Sequence, residues 1–178
     1  MIGIQNIKTF NKRVLIRVDF NVPLDKNQKI TDTSRIQAAI PTIQKIIVGG
    51  GIAILISHLG RPKTKDLNLS LKPIAEKLSE LLNQKVFFSK DCVGEKVLSD
   101  IKKLNSSEVI LLENLRYYKE EEQGDVVFSE KLSKLADIYI NDAFGTAHRA
   151  HASTSVITRF FKNTCFCGLL LEKEISNL

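Results

Sequence analysis

A stretch of ten residues near the N-terminus, VLIRVDFNVP (Val14 to Pro23), limits what this chain can fold into. It opens as an apolar run rich in β-branched side chains, turns polar at Asp19 and Asn21, and stops at Pro23. A half-exposed strand would alternate apolar and polar residues, so this run reads as a strand buried on both faces. Proline cannot donate a ladder hydrogen bond, so the strand ends by Pro23. The same order returns in IAILISHLGR (Ile52 to Arg61), VILLENLR (Val109 to Arg116) and IYINDAFGTAHR (Ile138 to Arg149). Four buried strands with such endings would set their hydrogen-bonding and cationic groups along one edge of one sheet.

Helical patterns separate the strands. Thr33 and Ser34 are N-cap candidates. Ile36, Ala39, Ile40, Ile43, Ile46 and Ile47 then fall at helical spacing, with Pro41 expected to start a second helical piece. Gly49 to Gly51 ends that helix. Ser70 is a cap candidate for a helix over 71–82, and shorter helices are expected over 96–103 and 126–135. Val86 to Phe88 and Cys165 to Leu170 read as further strands, and Glu172 to Leu178 as helix. The acidic run Glu120 to Glu122 reads as a solvated surface loop. Strands alternating with helices call for parallel pairing through right-handed crossovers. The expected fold class is therefore α/β, a three-layer doubly wound, six-stranded parallel sheet with helices on both faces. Such sheets bind ligands outside the carboxyl ends of their strands.

The 178 residues suit one domain, with 43% hydrophobic and 26% charged content to build an ordinary core. The first ten residues hold no long apolar core behind a basic start, and no apolar run approaches the roughly 20 residues of a membrane span. A cytoplasmic location is expected. The three cysteines, Cys92, Cys165 and Cys167, are too few for a zinc site and read as reduced, buried thiols. The net charge of +6 is mild, and aromatic content is 7% with no Trp, so a nucleic-acid surface lacks its stacking platform.

The groups expected on the edge are Asp19, Asn21, Arg35, His58, Arg61, Asn114, Arg116, His148, Arg149 and His151. Arg35, Arg61, Arg116 and Arg149 dominate, and a guanidinium fork matches phosphate and carboxylate oxygens. At a spacing of about 8 Å each like-charge pair costs roughly 2 kcal/mol at an effective dielectric near 20. Burial alone would not assemble such a cluster; a small polyanion would relieve it. Asp19 and Asn21 could accept hydrogen bonds from that ligand's hydroxyl. Taken singly, each arginine could be a surface ion-pair partner, Asp19 a turn cap and Glu113 a neighbour's counter-ion. Arg17, inside the first strand, reads as such a structural pair. The recurrence at four strand ends favours the functional reading. No GxxxxGK[ST], GxGxxG or GxSxG is present, and His148 and His151 lack a third metal ligand.

RVDFNVP (Arg17 to Pro23), SHLGRP (Ser57 to Pro62), LLENLRYYKEEE (Leu111 to Glu122) and NDAFGTAHRAHAS (Asn141 to Ser153) closely resemble the N-terminal half of phosphoglycerate kinase. GLLLEKEI (Gly168 to Ile175) is similar to the segment leading into that family's interdomain helix. The resemblance covers essentially the whole chain. It implies a phosphoglycerate-binding N-terminal domain over residues 1–170 and the start of an interdomain helix, cut short, over 171–178. It also implies reversible phosphoryl transfer between 1,3-bisphosphoglycerate and ADP, or 3-phosphoglycerate and ATP.

On matching positions, Asp19 and Asn21 should contact the glycerate hydroxyl and carboxyl region. His58, Arg61, Arg116 and Arg149 should hold the 3-phosphate and its surroundings, with Phe20, Leu59 and Gly60 in the same binding segments. Arg35 should bind substrate and act catalytically on the phosphoryl group in flight. His148 and His151 are supporting residues, and no metal is expected on this chain. The family's nucleotide lobe, which binds Mg-ATP or Mg-ADP, has no counterpart here. The chain alone is therefore expected to bind phosphoglycerate as a monomer without turning it over. Partners are expected to be the substrate and that lobe, with neither nucleic acid nor membrane. The alternatives are a noncatalytic small-anion-binding module on the same scaffold and a basic nucleic-acid surface.

Overall fold

The computed structural model describes residues 2–147 and 150–177. Among the described residues seven strands are present: β1 (Ile2–Gly3), β2 (Arg13–Arg17), β3 (Ile52–Ile56), β4 (Val86–Ser89), β5 (Val109–Leu112), β6 (Ile138–Asn141) and β7 (Cys165–Cys167). They form one sheet in the order β1-β7-β6-β2-β3-β5-β4, and every pairing is parallel. The expected six strands become seven because Ile2 and Gly3 pair with Phe166 and Cys167. A two-residue strand has no period to read, so only its partner reveals it.

The helices are α1 (Ser34–Val48), α2 (Lys72–Leu82), α3 (Glu95–Lys102), α4 (Lys119–Gln123), α5 (Val126–Ser133), α6 (Phe144–Ala147) and α7 (Leu169–Ser176). Successive strand residues face opposite sides. Val14 and Ile16 join one core with Ile36, Ile43 and Ile46 of α1 and Ile74 and Leu78 of α2. Leu15, Ile54 and Ile56 join the other, with Val97 and Ile101 of α3 and Phe128 and Leu132 of α5. Two buried faces explain why the strands read as continuous apolar runs.

Four local expectations need correction. Pro41 lies inside one continuous α1 rather than starting a second piece. It is exposed, while Ala39, Ile43 and Ile46 anchor the helix on either side of its missing N–H. The acidic run is helical, and Glu121 is buried. The last strand stops at Cys167, and the C-terminal helix begins at Leu169, not Glu172. Distant groups set that earlier start: Asp142 Oδ1 accepts the Leu170 and Leu171 N–H groups at 3.0 and 3.2 Å, and Thr42 Oγ1 accepts that of Leu169 at 3.0 Å. Lastly, Ser70 lies one residue before the N-cap Leu71, its hydroxyl accepting the Lys72 N–H at 3.2 Å.

The three cysteines carry free thiols, with Cys92 and Cys167 buried. Burial pushes the Cys92 thiol well above its ordinary range, and those of Cys165 and Cys167 upward as well. Among the described residues no helix is long and apolar enough to cross a membrane.

Candidate functional site

Register brings the strand ends together. Arg17 lies opposite Ile56 of β3 and Asn141 of β6, and Leu55 of β3 lies opposite Leu111 of β5. The loops after β2, β3, β5 and β6 therefore leave the sheet side by side. The chain runs outward in one direction from β2 through β3 and in the other through β6 and β7. That reversal is where a doubly wound sheet opens a crevice.

Hydrogen bonds tie these loops into a fixed rim. Asn21 N–H donates to Asp19 Oδ1 at 3.2 Å, a tight local turn. Asn21 Oδ1 accepts the Gly60 N–H at 2.8 Å, and the Phe20 N–H donates to Ser57 Oγ at 2.9 Å. Asn114 staples three segments: its Oδ1 accepts the Leu59 and Arg116 N–H groups, and its Nδ2 donates to the Leu59 and Leu69 carbonyls. Asn114 is thus a buried loop fastener. Glu113 accepts from Ser70 Oγ at 2.7 Å and from the Leu71 N–H at 2.9 Å, so it holds the entry to α2 rather than balancing a cation. Gly60 takes φ 62°, a conformation that favours glycine, and its carbonyl accepts Arg116 Nη1 at 3.0 Å.

The rim encloses a cavity of about 350 Å³ lined by Asp19, Asn21, Arg35, His58, Gly60, Arg61, Arg116 and Gly145. Arg35, in the first turn of α1, is ion-paired with Asp19 and has 52% of its side chain exposed. Arg61 is exposed, whereas the Arg116 side chain is 5% exposed and lies 3.6 Å from Glu122. Larger cavities of about 650 and 600 Å³ lie elsewhere, over Ile7, Ile138 and Phe166 and over Phe87, Leu104 and Ile110; they are more apolar and gather no arginines. A third, of about 710 Å³, adjoins the rim through Arg61 and Arg116 but also takes in Glu120 and Glu122, so chemistry, not size, selects the smaller one.

Of the residues anticipated from sequence, Arg35, Arg61, Arg116, His58, Asp19, Asn21 and Gly60 meet in this cavity. Phe20 and Leu59 have buried side chains in the core, leaving only their main chain to the rim. His148 and Arg149 lie outside the described residues. His151 is buried behind the cavity, its Nδ1 4.0 Å from Glu121 Oε1. Gly145, which sequence reasoning passed over, faces the cavity close to Asp19: a methyl group there would come 3.4 Å from Asp19 Oδ2.

Arg17 is not a surface ion pair. It is 1% exposed and donates from Nε to Ser153 Oγ at 2.9 Å, from Nη1 to the Val18 carbonyl, and from Nη2 to His58 Nδ1 at 3.1 Å. Ser153 Oγ in turn donates to Glu121 Oε1 at 2.5 Å, and the Ser153 N–H donates to Glu121 Oε2 at 3.0 Å. A buried cation and a buried anion are thus joined through one hydroxyl. The interruption of an apolar run by Arg17 was the sequence signal for half of this; Glu121, in the middle of three glutamates, gave none. Burial, then Arg17, Arg116, His151 and Arg35, pushes the His58 pKa down to about 2, so its ring is neutral near pH 7.

Fold and rim together define a doubly wound α/β protein with an arginine-lined cavity at the carboxyl ends of its strands, of a chemistry that suits a small, multiply charged anion. Comparison with known proteins narrows this. The family profile described as phosphoglycerate kinase matches residues 4–178. Among curated relatives, the phosphoglycerate kinase of Chlorobium chlorochromatii is 52% identical over 176 residues, 98% of this chain and 44% of that protein. That of Gloeobacter violaceus is 53% identical over 167 residues, 94% of this chain and 41% of the relative. Among solved structures, phosphoglycerate kinase from Pyrococcus horikoshii superposes with a TM-score of 0.89 at 37% identity, covering 99% of this chain and 44% of that one. The Coxiella burnetii enzyme gives 0.88 at 38% identity, covering 98% and 43%. The chain belongs to the phosphoglycerate kinase family. It spans less than half the length of these relatives.

Proposed function

We propose that this chain is the phosphoglycerate-binding part of a phosphoglycerate kinase. As part of the whole enzyme it presents 3-phosphoglycerate or 1,3-bisphosphoglycerate for reversible phosphoryl transfer with ATP or ADP. The observation that carries this reading is the meeting of Arg35, Arg61 and Arg116 with Asp19 and Asn21 in one cavity of about 350 Å³. Arg61 and Arg116, with Arg149, hold the phosphate, and His58 adds a neutral donor. Asp19 and Asn21 accept from the glycerate hydroxyl. Arg35 balances charge on the phosphoryl group in flight, and its half-exposed side chain leaves it free to reach one.

Magnesium-ADP or magnesium-ATP would supply or take the phosphoryl group. The residues present do not fit that group: among the described residues no three His, Cys, Asp or Glu side chains come together as a metal site. Asp19, the one carboxylate among the described residues that line the cavity, is paired with Arg35. We assign the nucleotide to the part of the relatives' length that this chain does not span, and the 178-residue chain alone to binding without turnover.

Calorimetric titration with 3-phosphoglycerate tests this. Saturable one-to-one binding is expected, weakened about tenfold or more by Arg61→Ala, which removes a charge-assisted hydrogen bond. Equal affinity for inorganic phosphate would reduce the site to a generic anion module. Binding to single or double strands of nucleic acid that falls steeply with salt would point to a different surface altogether. Kinase turnover by the purified chain would overturn the division of labour.

A further inference from the structure

We propose that Arg17 is a positioning residue that fixes His58 in the Nε2–H tautomer, presenting a neutral N–H donor to the anion in the cavity. Its ligand half rests on the phosphoglycerate reading; its tautomer half does not.

A guanidinium has donors and no acceptor. Arg17 Nη2 lies 3.1 Å from His58 Nδ1, so Nδ1 must carry the lone pair and the ring proton must sit on Nε2. His58 lines the cavity, and with Nδ1 engaged by Arg17 its Nε2 edge is the one left to the ligand. A second proton would set N–H against N–H at the Arg17 contact. The groups around the ring reinforce this: Arg17 from β2, Arg116 from the loop after β5 and Arg35 from α1 are cationic, and His151 lies beyond them. Asp19 shares the cavity but is paired with Arg35.

Arg17 is itself held on three sides. Ser153 Oγ accepts from its Nε and passes a hydrogen bond to the buried Glu121, while Tyr139 Oη donates to the Ser153 carbonyl at 2.7 Å. A guanidinium locked in this way cannot turn to give Nδ1 a different partner. The division of roles follows. Arg35, Arg61 and Arg116 supply charge, and His58 supplies a directed hydrogen bond that does not switch off as pH rises past 6.5, where an ordinary histidine loses its charge.

The test is nitrogen NMR of the 178-residue chain with labelled histidine, first without ligand and then titrated with 3-phosphoglycerate. His58 is expected to show a lone-pair-type Nδ1 and a protonated Nε2, unchanged from pH 8 to pH 5.5, with the Nε2–H signal moving on ligand addition. Arg17→Met, and Arg17→Met with Glu121→Gln to remove both buried charges, should release the ring to mixed tautomers and raise its pKa above the wild-type value, with burial, Arg116 and Arg35 still holding it below that of an ordinary histidine. Measured relative to wild type, so that the ligand's own titration cancels, 3-phosphoglycerate affinity should drop about two- to threefold at pH 8, by the reciprocal of the remaining Nε2–H fraction. It should recover as pH falls through the variant ring's own pKa, when the imidazolium supplies the donor. A protonated Nδ1 in the wild-type chain, or a variant ring that keeps the wild-type tautomer, overturns the proposal. Should neither variant fold, the wild-type spectrum still decides the tautomer. A fixed tautomer whose Nε2–H does not respond while calorimetry shows 3-phosphoglycerate bound would overturn the ligand half of the proposal; no binding at all would overturn the substrate reading alone.

Discussion

Three arginines in one cavity sit in different surroundings, and the surroundings divide their work. Arg116 is sheathed by the β3 loop and braced on the Gly60 carbonyl, so its guanidinium is held in one place. Arg35 is half in water and held by one carboxylate, so it can change partner as charge moves. In a full-length phosphoglycerate kinase carrying these residues, Arg35→Ala is expected to lower kcat at least about 100-fold with a smaller change in KM. Steady-state kinetics checks this, and an unchanged kcat removes the transition-state role. His58 makes a pH prediction whose sign follows from its depressed folded-state pKa. The unfolded chain takes up a proton near pH 6.5 and the folded chain does not until about pH 2. Its contribution is therefore present above pH 6.5 and declines as the pH falls. Between pH 7 and pH 5 that loss is about 2 kcal/mol. Urea unfolding at both values should show His58→Gln losing less stability than wild type over that interval. Neither the neutral state of this ring nor the burial of Glu121 was legible in the sequence. Both depend on which side chains arrive from β2, α4 and the 150–154 segment.

At the level of elements, α7 is built from outside itself. Asp142, at the end of β6, accepts the Leu170 and Leu171 N–H groups that a helix start leaves open. Gly168 keeps room for that carboxylate: a β-carbon there would fall 2.2 Å from Asp142 Oδ1 and 2.7 Å from its Cβ. Burial raises the Asp142 pKa, opposed by the hydrogen bonds it accepts. Asp142→Ala is expected to cost about 1–2 kcal/mol, as loss of a helix cap does. Gly168→Ala should cost at least about 1 kcal/mol by displacing the same carboxylate. The urea midpoint should fall in each case with the slope unchanged. Leu169 and Leu170 look like the tail of a strand because leucines in a row carry no helical signature. The cap that makes them helical is 28 residues away from Leu170. The strands after Arg13, by contrast, were legible in outline, since burial on both faces writes itself into composition.

Across the whole molecule, β2 is the shared wall of two cores. Val14 and Ile16 close one, Leu15 the other, and β2 pairs with β3 on one side and β6 on the other. Neither core can be lost without exposing β2, so the described residues should unfold as one cooperative unit. Tyr139 is sealed in one core and stacks at 5.7 Å on Phe161, and the chain has no tryptophan. Tyrosine near-ultraviolet circular dichroism and far-ultraviolet circular dichroism are expected to give the same urea midpoint. Separated midpoints would show the two faces melting independently. The sequence by itself determined a parallel α/β sheet, its central strands, and the arginine-rich endings that mark one edge. These are local matters, because period, composition and proline or glycine punctuation are set by a residue and its chain neighbours. Only the tertiary structure decided the two-residue edge strand, the continuity of α1 through Pro41, and the link from Arg17 through Ser153 to Glu121. Each depends on a partner far away along the chain, and the energy of a buried hydrogen bond or ion pair exists only once folding has brought both ends together.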